Sequence, residues 1–286
     1  MLGFGLGLNK WRRVGGGFVG LLDLYPNAAA AYSLRKLRAA YSGSAVRVRK
    51  EVSSVSSETD IGFAADGSLD TVSLLAFASD ADSGDVFVVT WYDQSLSNNA
   101  TQSTAAAQPK IVSGGSLVED NGKAAVYFTN NHLKYSTNID SSSFISAFAV
   151  SNSQVASNEF VGQNTASYSV NDFFIGQGKL TRRTSDTLSD ANEWGSIRTG
   201  SQELTSIISA SNSSASVYSD SVLIDNIASA TSIARSSDDR SIGGAYEATV
   251  RSYIGNLQEL ILYSSDQSAN RTPIETNINT FYSIYP

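Results

Sequence analysis

The stretch Val86–Lys110, VFVVTWYDQSLSNNATQSTAAAQPK, decides how the chain is read. Val86 to Trp91 is an apolar run of strand length, rich in β-branched and aromatic residues. It breaks at once into Tyr92-Asp93-Gln94-Ser95, then an Asn-rich loop, then Gln108-Pro109. A buried strand that delivers an aromatic ring, a carboxylate and an amide to its end can form a binding rim. Asp93, Gln94 and Asn98 are therefore candidate carbohydrate-binding residues, since a carboxylate beside an amide suits sugar hydroxyls or a Ca²⁺ ion. The competing reading is that Asp93 caps the loop by accepting backbone N–H groups, as Asp readily does.

Downstream of Lys110 the pattern is all β. Short apolar runs are separated by Ser, Asn, Asp and Gly clusters, the spacing of a sandwich or jelly roll. Strands are expected at Lys110–Val112, Ala124–Phe128, Phe144–Ser151, Glu159–Gly162, Tyr168–Gly176 and Leu204–Ser209. Others follow at Ala215–Tyr218, Val222–Ile227, Arg240–Gly243 and Tyr253–Tyr263. In Phe144–Ser151 both alternating faces are apolar, which predicts a central strand covered on both sides. Ser219-Asp220-Ser221 reads as a hairpin turn. The chain closes on a predicted helix with Thr272 as N-cap, Pro273 at the first position and Glu275 in a capping box. Its apolar stripe is Ile274, Ile278, Phe281 and Tyr285.

Upstream, Asn27 followed by AAAAYSLRKLRAAY predicts a helix with Ala30, Leu34, Leu37 and Tyr41 on one face. Ala45–Lys50 alternates as a strand, SSVSSETD reads as a polar connection, and Asp70 caps a short helix TVSLLAFA. The fold expected is mainly β: a jelly-roll β-sandwich with an N-terminal helical wrap and a C-terminal helix. Residues 1–22 are set apart as a Gly-rich basic segment. Residues 23–286 form one domain, with the helical wrap at 23–85 and mostly strands at 86–286.

Charge is unevenly spread. Residues 1–50 hold nine basic residues and one acidic one, while the whole chain carries −7, so the remainder carries −15. A basic end on an acidic body suits a negative protein partner and argues against nucleic acid. In Lys10-Trp11-Arg12-Arg13 a Trp sits among three cations between glycine runs, the residue types of an interface anchor. GGGFVG at Gly15–Gly20 matches a dinucleotide fingerprint only formally, because no strand precedes it and Pro26 follows.

Cysteine is absent, so disulfides, thiolate catalysis and Cys-based zinc sites are excluded. His132 is the single histidine, which removes most His-dependent triads, and it reads as structural. No apolar run approaches the roughly 18 residues of a membrane helix, and the order of charge and apolarity near the start is wrong for a signal peptide. Glu193-Trp194 could form a sugar platform, with Trp194 the candidate ligand-stacking residue; packing is the alternative. No cofactor is implied. Ca²⁺ would be chemically compatible, but no metal-ligating set stands out.

Two resemblances add to this. Residues 23–128 resemble the N-terminal half of the arabinofuranosidase B-type catalytic domain. The matching pieces are Asp23-Leu24-Tyr25-Pro26, Ala31-Tyr32-Ser33-Leu34-Arg35, Asp60-Ile61-Gly62-Phe63 and above all Trp91-Tyr92-Asp93-Gln94-Ser95 with Asn98-Asn99-Ala100-Thr101. Residues from about 120 to 286 resemble the laminin-G/concanavalin-like jelly rolls of many phage proteins, through Asn121-Gly122-Lys123-Ala124 and Ile254–Tyr263. The first resemblance implies retaining arabinofuranoside hydrolysis by a carboxylate nucleophile and a carboxylic acid. Its vicinal-cysteine nucleophile motif has no counterpart here, and Leu96 stands where that family has Gly, so no catalytic residue transfers. The acids available to such chemistry are Asp93, Glu193, Glu247 and Glu259.

The reading that follows is a non-enzymatic phage virion protein: a head-fibre, decoration or tail-associated component on the virion surface. It would dock on other virion proteins through Lys10, Trp11, Arg12 and Arg13, form a homo-oligomer, and display a sandwich whose ligands are surface glycans. A retaining glycoside hydrolase of arabinofuranosidase type is the alternative, and a non-catalytic lectin-like module the third.

Overall fold

The computed structural model describes residues 17–135, 145–155, 159–163, 173–183, 191–195, 199–211, 214–227, 240–244 and 253–286. In chain order the first strands are β1 (Ala30–Ser33), β2 (Val46–Val52), β3 (Val55–Ile61), β4 (Val86–Trp91), β5 (Ala100–Thr101), β6 (Lys110–Ser113) and β7 (Ser116–Leu117). Next come β8 (Glu119–Asp120), β9 (Lys123–Ala124), β10 (Val126–Thr129), β11 (Leu133–Tyr135), β12 (Ile145–Ser153), β13 (Glu159–Gln163) and β14 (Phe173–Gly176). The last are β15 (Lys179–Arg183), β16 (Ala191–Gly195), β17 (Glu203–Ser211), β18 (Ser214–Ser219), β19 (Val222–Ile227), β20 (Arg240–Ile242) and β21 (Ile254–Tyr263). Three helices accompany them: α1 (Leu21–Leu24), α2 (Thr71–Ala78) and α3 (Arg271–Tyr282).

The strands form a β-sandwich, as the sequence predicts. One layer runs β3–β2–β4–β6–β10–β21–β12–β17–β18–β19, with β1 beside β21 beyond the end of β10. The other runs β5–β11–β20–β13–β14–β15–β16. The layers join where β4 pairs with β5 through Thr90↔Thr101 and Trp91↔Ala100. All these pairings are antiparallel. The inner core takes Val46, Val88, Trp91, Phe128, Leu260 and Val217 from the first layer, and Leu133, Tyr135, Val161 and Ile242 from the second. Tyr32 lies against both Trp91 and Tyr135, with ring centroids 6.2 and 5.6 Å apart.

A second apolar cluster covers the outer face of the first layer. Phe148, Val150, Leu204, Ile261 and Tyr263 meet Leu21 and Leu22 of α1 and Ile274, Ile278 and Tyr282 of α3. This explains the doubly apolar strand: Ala147 and Ala149 of β12 face inward while Phe148 and Val150 face the helices. Phe144 lies outside the described residues.

Three local expectations are corrected. Residues 27–41 do not form a helix; Ala30–Ser33 is a strand paired with Glu259–Leu262. The amphipathic period was real, but the backbone groups a helix would use internally are taken by β21 and by two side chains described below. The polar run at 55–61 is strand β3, because Ser53 and Ser54 both adopt positive φ, 51° and 63°, and close a two-residue hairpin. Helix α3 starts at Arg271, with Asn270 as N-cap and no side-chain cap bond. Glu275, instead of closing a capping box, is buried and bonds Arg271 and Ser221. By contrast Asp70 does cap α2, accepting from Ser73 N at 3.0 Å, and Asp220 and Ser221 do form the β18–β19 turn.

Residues 17–22 pack on the domain. Leu21 and Leu22 are buried, and a Cβ at Gly20 would sit 2.1 Å from the Leu37 carbonyl oxygen. That approach is open only to glycine. Residues 1–16, with Lys10, Trp11, Arg12 and Arg13, lie outside the described residues.

Helix, sheet and N-terminal strand are tied by one sealed ion pair. Arg35 donates to both oxygens of Glu259, Nε to Oε2 at 2.7 Å and Nη2 to Oε1 at 2.9 Å, and Glu259 is fully buried. Ser33 Oγ donates to the same carboxylate at 2.7 Å, and Arg35 Nη1 donates to Asn277 of α3 at 2.9 Å. Burial alone would weaken the guanidinium's charge; Glu259 outweighs it and holds Arg35 more firmly protonated. Breaking a buried pair strands a charge and costs about 3–5 kcal/mol. Arg35→Met is therefore expected to lower the urea-unfolding free energy by about that much, and adding Glu259→Leu to recover at least half. A single variant as stable as the parent, or a double variant no better than the single, would refute the role.

Candidate functional site

The strand β4 ends in a knot. Asp93 is 2% exposed, and both its oxygens are used. Oδ1 accepts from Ala31 N at 2.8 Å, Ser95 N at 2.9 Å and Ser95 Oγ at 2.7 Å. Oδ2 accepts from Leu96 N and Asn98 N, each at 3.1 Å. Gln94 is fully buried: its Oε1 accepts from Leu37 N at 2.8 Å, and its Nε2 donates to the carbonyls of Ser33 and Arg35 at 3.1 and 2.9 Å. Asn98 donates from Nδ2 to the Ala29 carbonyl at 3.0 Å. These side chains substitute for secondary structure along residues 29–37. They hold backbone, which is the loop-capping alternative weighed from the sequence.

Of the other residues singled out, Trp194 lies in β16 with its backbone opposite Leu180, far along the second layer from the knot. Its side chain and that of Glu193 lie outside the described part, as does Glu247. His132 is structural in its contacts: Gln102 Nε2 lies 2.9 Å from its Nε2 and also donates to its carbonyl. Burial, helped by Lys134, lowers its pKa.

A cleft of about 630 Å³ opens beside β2, β4 and β6 on the outer face, and no motif marks it. Its floor is a cross-strand row: Arg49 opposite Phe87, and Phe87 opposite Lys110. The Arg49 guanidinium lies 4.9 Å from the Phe87 ring centroid and the Lys110 ammonium 5.8 Å from it. Each cation has a carboxylate: Arg49 Nη1 donates to Glu51 at 2.7 Å, and Lys110 Nζ to Asp85 at 2.7 Å. Burial would raise the Asp85 pKa, but Lys110 and the Gly114 N–H hold it below the ordinary value. Gln108 fixes Arg49 by accepting from its Nε at 2.7 Å. Asn131 and Thr129 complete a rim of planar amide, hydroxyl and charged groups. Such a surface offers directed hydrogen bonds to a polyhydroxylated ligand. The clue in the sequence was alternation: Arg47, Arg49 and Glu51 share one face of β2.

The fold agrees with solved arabinofuranosidase structures. One, complexed with arabinofuranosyl-α-1,2-xylobiose, matches 88% of this chain at a TM-score of 0.62 and 13% identity. A GH54 α-L-arabinofuranosidase soaked with a cyclic sulfate inhibitor matches 90% at 0.62 and 15% identity. The chain spans 62% and 64% of those two structures, less than two thirds of their length. At this identity the likeness is one of fold. No protein-family model and no curated protein matches the sequence.

Asp93→Asn places an N–H₂ against backbone donors on one side of the knot, and an unsatisfied buried group costs about 1–3 kcal/mol. The variant is expected to lose that much stability in denaturant unfolding while the folded protein keeps its ligand affinity. Lost affinity at unchanged stability would make Asp93 a ligand-binding residue after all.

Proposed function

We propose that this protein is a carbohydrate-directed β-sandwich and that its activity is hydrolysis of arabinofuranosyl or related glycosides. The observation that carries the reading is the agreement of fold with two arabinofuranosidase structures over about nine-tenths of the chain. A retaining mechanism requires two carboxyl groups about 5 Å apart. Of the acids the sequence offered, Asp93 and Glu259 are sealed and fully engaged within the fold. Glu193 and Glu247 are the remaining candidates, and the cleft around Phe87 is a binding surface for the sugar chain.

Release of 4-nitrophenol from an aryl arabinofuranoside is the direct assay. Turnover is expected to fall at least about a hundredfold in Glu193→Gln or Glu247→Gln, in keeping with the worth of an acid–base group. No turnover by the parent at high enzyme concentration sinks the hydrolase reading. Glycan binding without turnover would favour the lectin-like module, a reading supported by the absence of cysteine and of the family's nucleophile motif.

The virion reading stands as a separate proposal on one observation, the basic Lys10-Trp11-Arg12-Arg13 segment attached to an acidic body. Leu21 and Leu22 belong to the core, so the test removes residues 1–16 alone. Loss of oligomer formation or particle incorporation, with an unchanged melting temperature, is expected. Unchanged assembly would dispose of the docking role.

A further inference from the structure

The outer face of the first layer carries a polar patch built by a β-bulge. Val150 of β12 faces Glu259 of β21, but the next residue, Ser151, faces Leu257, so Gln258 is the extra residue. The Gln258 side chain meets the β8–β9 hairpin. Its Nε2 donates to the carbonyls of Asp120, Lys123 and Ala124 at 3.2, 2.9 and 3.2 Å. Its Oε1 accepts from Gln202 Nε2. Just past the bulge, Asn152 and Asn256 are cross-strand partners, and Asn152 Nδ2 donates to Asp120 Oδ1 at 2.8 Å. Strand, bulge and hairpin thus bring Asp120, Asn152, Asn256 and Gln202 to one patch.

Four oxygens there share an unusual condition. Asp120 Oδ2, Asn152 Oδ1, Asn256 Oδ1 and Gln202 Oε1 are each sealed from solvent and meet no hydrogen-bond donor. One such acceptor is costly and uncommon in a folded protein. All four belong to residues that the bulge and the hairpin bring to one patch, and one of the four is a carboxylate oxygen. Lys123, the hairpin's own cation, is turned to Phe281, with Nζ 4.5 Å from that ring centroid. Among the described residues no three His, Cys, Asp or Glu converge, so a soft or transition metal has no ligand set. One carboxylate with three carboxamide oxygens is instead the donor chemistry of a hard cation that accepts neutral oxygens.

We propose that this patch binds a calcium-class cation, which fastens the β8–β9 hairpin to the sandwich. The rival arrangement is rotation of the Asn256 or Gln202 carboxamide, which would turn an acceptor into a donor and satisfy the patch internally.

The full-length chain, freed of metal with EDTA, would be titrated with CaCl₂ by calorimetry and with Tb³⁺ by luminescence. Tyr253 is suitably placed to sensitise Tb³⁺, since its hydroxyl donates to the Asn256 carbonyl at 2.8 Å. One saturable ion per chain and a melting midpoint raised by Ca²⁺ but not by equal MgCl₂ are expected. Asp120→Asn should weaken Ca²⁺ binding at least about tenfold. Asn256→Asp, which adds a second carboxylate without disturbing the hairpin, should tighten it by a similar factor and serves if Asp120→Asn does not fold. Absence of saturable heat, Tb³⁺ signal and midpoint shift overturns the proposal. So does Ca²⁺ affinity indifferent to both substitutions. A metal-independent loss of stability in Asn256→Asp with no gain in Ca²⁺ affinity would establish the internally paired amides instead.

Discussion

A charged pair sealed from water joins the parts of this fold that are most distant in sequence. Arg35 and Glu259 sit where β1, β21 and α3 meet, and neither charge has solvent to fall back on. The pair survives because every polar atom near it is spoken for: Ser33 and Tyr282 also reach Glu259, and Asn277 accepts from Arg35. A buried pair of this kind contributes little net stability over an apolar replacement, but it strongly penalises any arrangement in which one partner is missing. Its effect is selectivity. β1 can sit beside β21 in one register, and α3 can cross the sheet in one place.

The same economy governs the loop after β4. Asp93 and Gln94 together take up donors and acceptors of residues 31–37 that no regular element satisfies. The consequence for function is a division of labour. The polar groups nearest the centre of the molecule hold backbone, while those around Phe87 line an open cleft. A carboxylate whose two oxygens are already taken up by backbone N–H groups has little acceptor capacity left for a substrate. The residues with the strongest motif are thus the ones least available for chemistry.

Much of the architecture was legible. Alternation marked β2 and β12, an apolar run marked β21, Asp70 marked α2, and the doubly apolar β12 declared itself central. What misled was local propensity opposed by long-range pairing. Ala28 to Leu37 has the composition of a helix, yet the partners that make it a strand lie at residues 93–94 and 259–262. β3 was hidden because a Ser-Ser turn lacks the Asn-Gly signature of a two-residue hairpin. The start of α3 was placed late, since Glu275 serves a tertiary contact with Ser221 in place of a cap. Of the cleft only the alternation of β2 was legible: its floor joins residues 49, 87 and 110, which strand register alone brings together.

The placement of β1 has a consequence for how the chain reaches this state. Its partners are 226 positions away at Ser33–Glu259, while its other fasteners arrive with residues 93–98. Such separation implies a high contact order and slow, late closure. During synthesis the β1 segment lacks its strand partner until residues 259–262 have left the ribosome, with only residues 93–98 at hand to hold it. Its helical propensity then becomes useful, since a transient helix hides backbone groups that an exposed edge would offer to a neighbouring chain.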